Sequence, residues 1–135
     1  CWYLDCIDGT PKLHPADGIN GLEQRRIEAI ARSMLDGTSL WLREYLLRPP
    51  EMRSETIIGH ERRRAFRLAD FFEKEVQGEL LSGPINMAQI ILACVFHGNM
   101  FDGLPGFDWQ EGRSRLCNWV ERIGQNSSVK KTALP

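Results

Sequence analysis

Ile85-Asn86-Met87-Ala88-Gln89-Ile90-Ile91-Leu92-Ala93-Cys94-Val95-Phe96 is the stretch whose reading decides the fold. Asn86 opens it as an N-cap, because its side-chain oxygen can accept from an N–H that the first helical turn leaves without a partner. Gln89, three residues on, is spaced to reach back to the Asn86 backbone N–H. That is the reciprocal geometry of a capping box, and Ile85 and Ile90 are spaced as its hydrophobic staple. Behind the cap, Met87, Ile90, Ile91, Cys94 and Val95 share one helical face, and Leu92, Ala93 and Phe96 cover most of the rest. A helix apolar nearly all round belongs inside a bundle. The run falls short of the ~20 apolar residues that a bilayer crossing requires. It predicts a buried central helix on which the other helices pack.

Working outward, Ser82-Gly83-Pro84 punctuates the approach to this helix. Before it, Ser54 caps a long helix with Glu55 in its first turn. Ile58, Ala65, Phe66, Ala69, Phe72 and Val76 form that helix's buried stripe, Arg62, Arg63, Arg67, Glu73 and Lys74 its wet side, and Gly78 a stop signal. Further upstream, apolar residues from Ile27 to Tyr45 recur at helical spacing and predict a helix from about Leu22 to Leu47. Gly37 is a weak point in it, costing ~1 kcal/mol against alanine, and Pro49-Pro50 ends it. Residues 1 to about 21 read as an irregular lead-in. Cys1-Trp2-Tyr3-Leu4 is the last turn of a helix, and Asp8-Gly9-Thr10-Pro11 and Pro15-Ala16-Asp17-Gly18 are turns. Downstream, Met100 to Phe107 is an apolar loop, Arg115 to Ile123 a shorter helix, and Ser127-Ser128-Val129 one more turn. No strand signal and no repeat appears. The chain reads as all-α, with two long antiparallel helices around a buried, capped central helix.

The 135 residues suffice for one self-supporting core. The formal net charge of −1 argues against nucleic acid or an anionic membrane as partner. The triplet Arg62-Arg63-Arg64 is balanced by Glu61, Glu73 and Glu75 and reads as a solvated helix face. The four cysteines, at 1, 6, 94 and 117, have no CxxC spacing and no histidine cluster beside them, so no metal site is expected. Cys94 and Cys117 read as small buried hydrophobes. A reduced, cytoplasmic setting is the simpler inference, and no signal peptide or membrane span is visible.

Chemistry is sparse. His14, His60 and His97 lie on three different elements, and no nucleophile elbow, P-loop or zinc-protease motif occurs. His97 suits a helix C-terminus. Glu44 reads either as an i,i+4 partner of Arg48 or as a polar group at a pocket rim. Met34, Thr38, Trp41 and Tyr45 share a face of the first long helix, which suits core packing or a ligand wall. Thr38, a hydroxyl within the stripe, favours the wall, unless it bonds back to the carbonyl at position 34.

Several of these pieces together resemble the C-terminal helical domain of cytosolic, bacterial-type glutathione S-transferases. Tyr3-Leu4-Asp5 followed by Lys12-Leu13-His14-Pro15 looks like the family's interdomain linker. Leu46-Leu47-Arg48-Pro49 with Arg53-Ser54 looks like its break between long helices. Asn86-Met87-Ala88-Gln89-Ile90 matches its capping box, with Gln89 where the family has Asp. Asp108-Trp109, Gly112, Leu116-x-x-Trp119, Arg122-Ile123 and Ser128-Val129 match its closing pattern. The resemblance implies that residues 1–21 end a preceding domain and form the linker, and that residues 22–135 are the helical domain. It implies that glutathione and its activating Ser, Tyr or Cys belong to an N-terminal thioredoxin-like domain outside this chain. The intact protein would then conjugate glutathione to hydrophobic electrophiles, and it would dimerise. This chain would supply the wall of the electrophile pocket through Met34, Thr38, Trp41 and Tyr45, with the loop around Phe101 and Leu104 as a second candidate. It would carry no catalytic residue and would be inactive alone. The alternative implied by the same resemblance is a non-catalytic protein-interaction module, docking through the loop from Met100 to Phe107.

Overall fold

The computed structural model describes residues 2–10, 12–15, 18–97, 101 and 103–132. Among them the chain forms α1 (Trp2–Cys6), α2 (Leu22–Leu47), α3 (Glu55–Glu75), α4 (Glu79–Ser82), α5 (Met87–Phe96), α6 (Ser114–Gly124) and α7 (Ser127–Thr132). Short 3-10 turns at Ile19–Gly21 and Pro50–Met52 precede α2 and α3. The expected turns over 8–11 and 15–18 each include residues outside the described set.

The central helix starts where its sequence says, but its cap works differently. Asn86 Oδ1 accepts from Gln89 N at 3.1 Å. The Gln89 side chain does not reach back to the Asn86 N–H. Its amide nitrogen donates instead to the carbonyls of Leu80 (3.0 Å), Gly83 (3.3 Å) and Pro84 (2.9 Å). Asn86 Nδ2 adds a second bond to the Leu80 oxygen, at 2.6 Å. The reason is chemical: a carboxamide carries donors that a carboxylate lacks, and α4 is so short that its carbonyls cannot all be satisfied within the helix. Trp119 Nε1 (2.7 Å) and Arg122 Nη2 (2.9 Å) serve the next carbonyl, of Leu81. On the other side, Met87 N donates to the Leu13 oxygen at 3.0 Å, and Gln24 Nε2 donates to the same atom at 3.2 Å. The lead-in is thereby fixed to both α5 and α2. Most of α5 is buried, but Cys94 is exposed, with Ile90 and His97 half-buried on the same i, i+4, i+7 stripe. One flank of α5 therefore stays accessible, and Cys94 is not a core residue.

Helices α2 and α3 run antiparallel. Along α2, residues 26, 33, 37 and 44 meet residues 71, 64, 61 and 54 in turn. Gly37 marks their close approach: a Cβ there would overlap Glu61 Oε2 and crowd Arg64. The position that propensity scores as a weakness is thus what admits a buried polar link between the helices. Arg64 Nη1 donates to Glu61 Oε2 at 2.9 Å, and Arg64 Nη2 donates to the Ser33 carbonyl at 2.7 Å and to its hydroxyl. The arginine triplet is accordingly not all solvated face. Arg64 is half-buried between helices, while Arg62 lies over Gly106. Ser54 Oγ accepts from Ile57 N at 3.3 Å as the cap of α3, and Glu44 Oε2 accepts from Ser54 N at 3.1 Å.

The remaining pieces close the bundle. Glu73 of α3 accepts from the N–H groups of Arg115 (3.3 Å) and Leu116 (2.8 Å), capping α6 from another helix. Phe101, Leu104 and Phe107 turn into the core, where Phe107 meets Trp41 and Phe66 edge-on at 5.6 and 5.9 Å. Among the described residues every buried side-chain nitrogen and oxygen has a partner.

Two stability outcomes follow from this packing. Asn86→Ala is expected to cost ~1 kcal/mol. Gln89→Glu turns a carboxylate onto three carbonyls, and it is expected to cost about 2 kcal/mol despite the helix N-terminus favouring a negative charge. Urea-unfolding midpoints rank the two; a Gln89→Glu protein as stable as the parent would show that the loop carbonyls do not depend on the amide. Gly37→Ala should also destabilise, because overpacking by ~1–3 kcal/mol outweighs the ~1 kcal/mol gain in helix propensity. A raised thermal midpoint would contradict the close approach.

Candidate functional site

Helix α2 has two long sides, and the structure turns the sequence-predicted stripe inward. Met34, Thr38 and Trp41 are each only 1% exposed. Thr38 Oγ1 donates back to the carbonyls of Met34 (2.9 Å) and Leu35 (3.1 Å), so its hydroxyl is satisfied within the helix. The space beside Met34 and Thr38 has no room for a water molecule. Trp41 packs on Phe107. Tyr45 alone is half-buried, with the Arg53 guanidinium 4.2 Å above its ring. The four residues do share a face, but three of them face the core, and the stripe is not an open wall in this chain. The reason is that α3, α5 and Phe107 cover that side of α2.

Glu44 is likewise buried. It pairs with Arg48 at 3.0 Å and holds the start of α3, so its role is structural. Phe101 and Leu104 are core residues, not a pocket rim or a docking patch; Met100 lies outside the described residues. Asn86 and Gln89 act as the structural cap already described.

The open side of α2 meets the lead-in. A cleft of about 270 Å³ lies between them, lined by Trp2, His14, Pro15, Arg25, Glu28, Ala29 and Arg32. Asp5 does not line it but holds its His14 wall in place. Its carboxylate accepts from the backbone N–H groups of Lys12 (3.0 Å), Leu13 (3.0 Å) and His14 (2.9 Å), and it meets His14 Nδ1 at 2.9 Å. Burial works to raise the Asp5 pKa, but the His14 contact and the three N–H bonds hold it well below the usual carboxylate range. The His14 ring is thereby fixed, and Trp2 stands edge-on to it at 5.1 Å. Glu28 Oε1 holds the Arg32 guanidinium through bonds of 3.0 and 2.6 Å. The cleft therefore combines an aromatic wall, a fixed imidazole, a carboxylate and arginine side chains, a set that can bind and orient a polar ligand. Helical periodicity could not find Asp5 or His14, since both lie in the lead-in, and only their place in the linker resemblance marked them.

His14, His60 and His97 stay apart. His60 is a surface residue beside Glu61, and His97 caps α5 against Gly124 of α6. No group of three or more His, Cys, Asp or Glu among the described residues is placed to hold a metal. No helix among them is long and apolar enough to cross a membrane.

No sequence-family model matches the chain. YibF of Escherichia coli K12, described as an uncharacterized GST-like protein, is 30% identical over 145 residues, spanning 100% of this chain and 70% of YibF. Two crystal structures of a glutathione transferase family member from Pseudomonas fluorescens Pf-5 are also similar. One holds glutathione and the other S-(propanoic acid)-glutathione; both are 28% identical, with TM-scores of 0.83 and 0.86. They match over 98% of this chain, which spans 64% and 67% of theirs. The architecture is that of a glutathione-transferase C-terminal helical domain: two long antiparallel helices, the first packed on a capped central helix that is tied to the lead-in. The chain belongs to the glutathione transferase family.

The Asp5 anchor gives a pH outcome with a defined sign. A carboxyl depressed in the folded state contributes fully above its ordinary value of 3.8, and that contribution fades as pH falls toward the folded value. Amide-exchange protection at Leu13 and His14 should hold from pH 7 to about 4 and weaken below. In Asp5→Asn it should be low throughout. Protection in Asp5→Asn equal to the parent's at pH 7 would show that the carboxylate does not hold the lead-in.

Proposed function

We propose that this chain is the helical half of a two-domain glutathione transferase. A preceding thioredoxin-like domain, for which residues 1–21 supply the end and the linker, binds glutathione and lowers its thiol pKa. The thiolate sulfur then bonds to an electrophilic carbon, whose leaving group departs or whose double bond takes up the proton. This domain positions the electrophile and contributes no nucleophile. The observation that carries the reading is the match of almost the whole chain to one part of a family member that binds glutathione and a glutathione conjugate.

Helix α2 lines the electrophile pocket in this reading. Met34, Thr38 and Trp41 hold it from behind, and Tyr45 is the member of that stripe with surface to offer. Beyond the lead-in, the accessible flank carries Ala29, Arg32, Asp36 and Arg43. That alternation favours electrophiles bearing a polar or charged group over purely apolar ones. The exposed apolar residues of α1 and the turn after it, Trp2, Tyr3, Leu4 and Ile7, suit contact with the preceding domain, and the intact protein forms a homodimer. The free thiols of Cys6, Cys94 and Cys117 fit a reducing cytoplasm.

The test is a conjugation assay with glutathione and an aryl halide. The chain by itself should not exceed the uncatalysed rate, whereas the protein produced with the region its gene encodes ahead of Cys1 should conjugate. Turnover by the 135-residue chain alone would place the chemistry in this domain, and an inactive longer protein would remove the transferase reading.

A further inference from the structure

A second concave site lies far along the chain from the α2 cleft, between the end of α3, α4 and α6. It has a volume of about 390 Å³, within the ~300–1,000 Å³ range of small-ligand sites. Val76 and Trp119, both buried, form an apolar floor. Around it stand Gln77, Ser82, Arg115, Asn118 and Arg122. Arg115, Asn118 and Arg122 are spaced i, i+3 and i+7, so one face of α6 presents all three. The lining holds two guanidinium groups, two carboxamides and a hydroxyl, and no carboxylate.

The two arginines are held differently. Arg122 is fixed by its bond to the Leu81 oxygen, which uses one of the five donors of a guanidinium and leaves the fork in place. Arg115 is half exposed, and its Nε stands 4.0 Å from Glu73 Oε1, beyond hydrogen-bond length. The Glu73 oxygens beside Arg115 are already committed to the backbone N–H groups at the start of α6.

We propose that this groove binds a small organic oxyanion, with the phosphate or carboxylate head between Arg115 and Arg122 and a flat apolar body over Val76 and Trp119. Asn118 and Gln77 supply neutral donors for the head, which suits planar or tetrahedral oxyanions alike. The proposal does not depend on glutathione chemistry or on the α2 cleft.

The experiment is an NMR titration of the full chain at low salt with phenyl phosphate, benzoate, inorganic phosphate and, as the uncharged control, phenol. Saturable shifts are expected at the Trp119 indole N–H and at Asn118, with phenyl phosphate or benzoate binding at least tenfold more tightly than phenol. Inorganic phosphate separates the head from the body: weaker binding than phenyl phosphate supports the apolar floor, and equal binding removes it from the proposal. Asn118→Asp and Arg115→Gln, both surface changes that leave the Leu81 bonds intact, should each weaken phenyl phosphate at least tenfold. The proposal is overturned by phenol binding as well as the anions, by no saturable shift, or by unchanged affinity in both folded variants.

Discussion

Two backbone carbonyls, those of Leu80 and Leu81, are the point on which the bundle depends. A helix as short as α4 cannot satisfy its own C-terminal oxygens, and a buried carbonyl left unpaired costs ~1–3 kcal/mol. Side chains from two other helices meet that demand. Asn86 and Gln89 of the α5 start take the first oxygen, and Trp119 and Arg122 of α6 take the second. The single turn of α4 thus serves as a common reference for α5 and α6. This also accounts for Gln89 at a position where the family has a carboxylate: the residue there must donate, not accept.

Carboxylates play the opposite part elsewhere. Asp5 takes the N–H groups of residues 12–14, Glu44 takes that of Ser54, and Glu73 takes those at the start of α6. Each carries negative charge to backbone donors on a different element, where the donors' partial positive charge favours it. The near-neutral net charge of the chain therefore conceals a division of labour. Amides and cationic side chains close off exposed carbonyls, and acids close off exposed N–H groups.

What the sequence made legible follows from the range of each signal. The bounds of α2 and the caps at Ser54 and Asn86 are local, and they were readable from spacing and a few side chains. The short α4 has too few residues to show a period. The partners of Gln89 lie in a loop whose position is set only when α5 and α6 pack. The spacing of Met34, Thr38, Trp41 and Tyr45 puts them on one face, but spacing cannot say which face of a helix meets solvent. Cys94 illustrates the same limit: it sits in an apolar run, yet the helix has an open flank. The cleft on the other side of α2 was hidden for a different reason, since Asp5 and His14 have no periodic relation to it.

Gly37 and Glu61 occupy one volume between α2 and α3. Neither position is free to drift by itself. A side chain can arise at 37 only after 61 has become smaller or turned away, and a shortened 61 would leave Arg64 with Ser33 alone between the helices. Over evolutionary time such a pair should be inherited as a unit, with a change at either site tolerated only in the company of a change at the other.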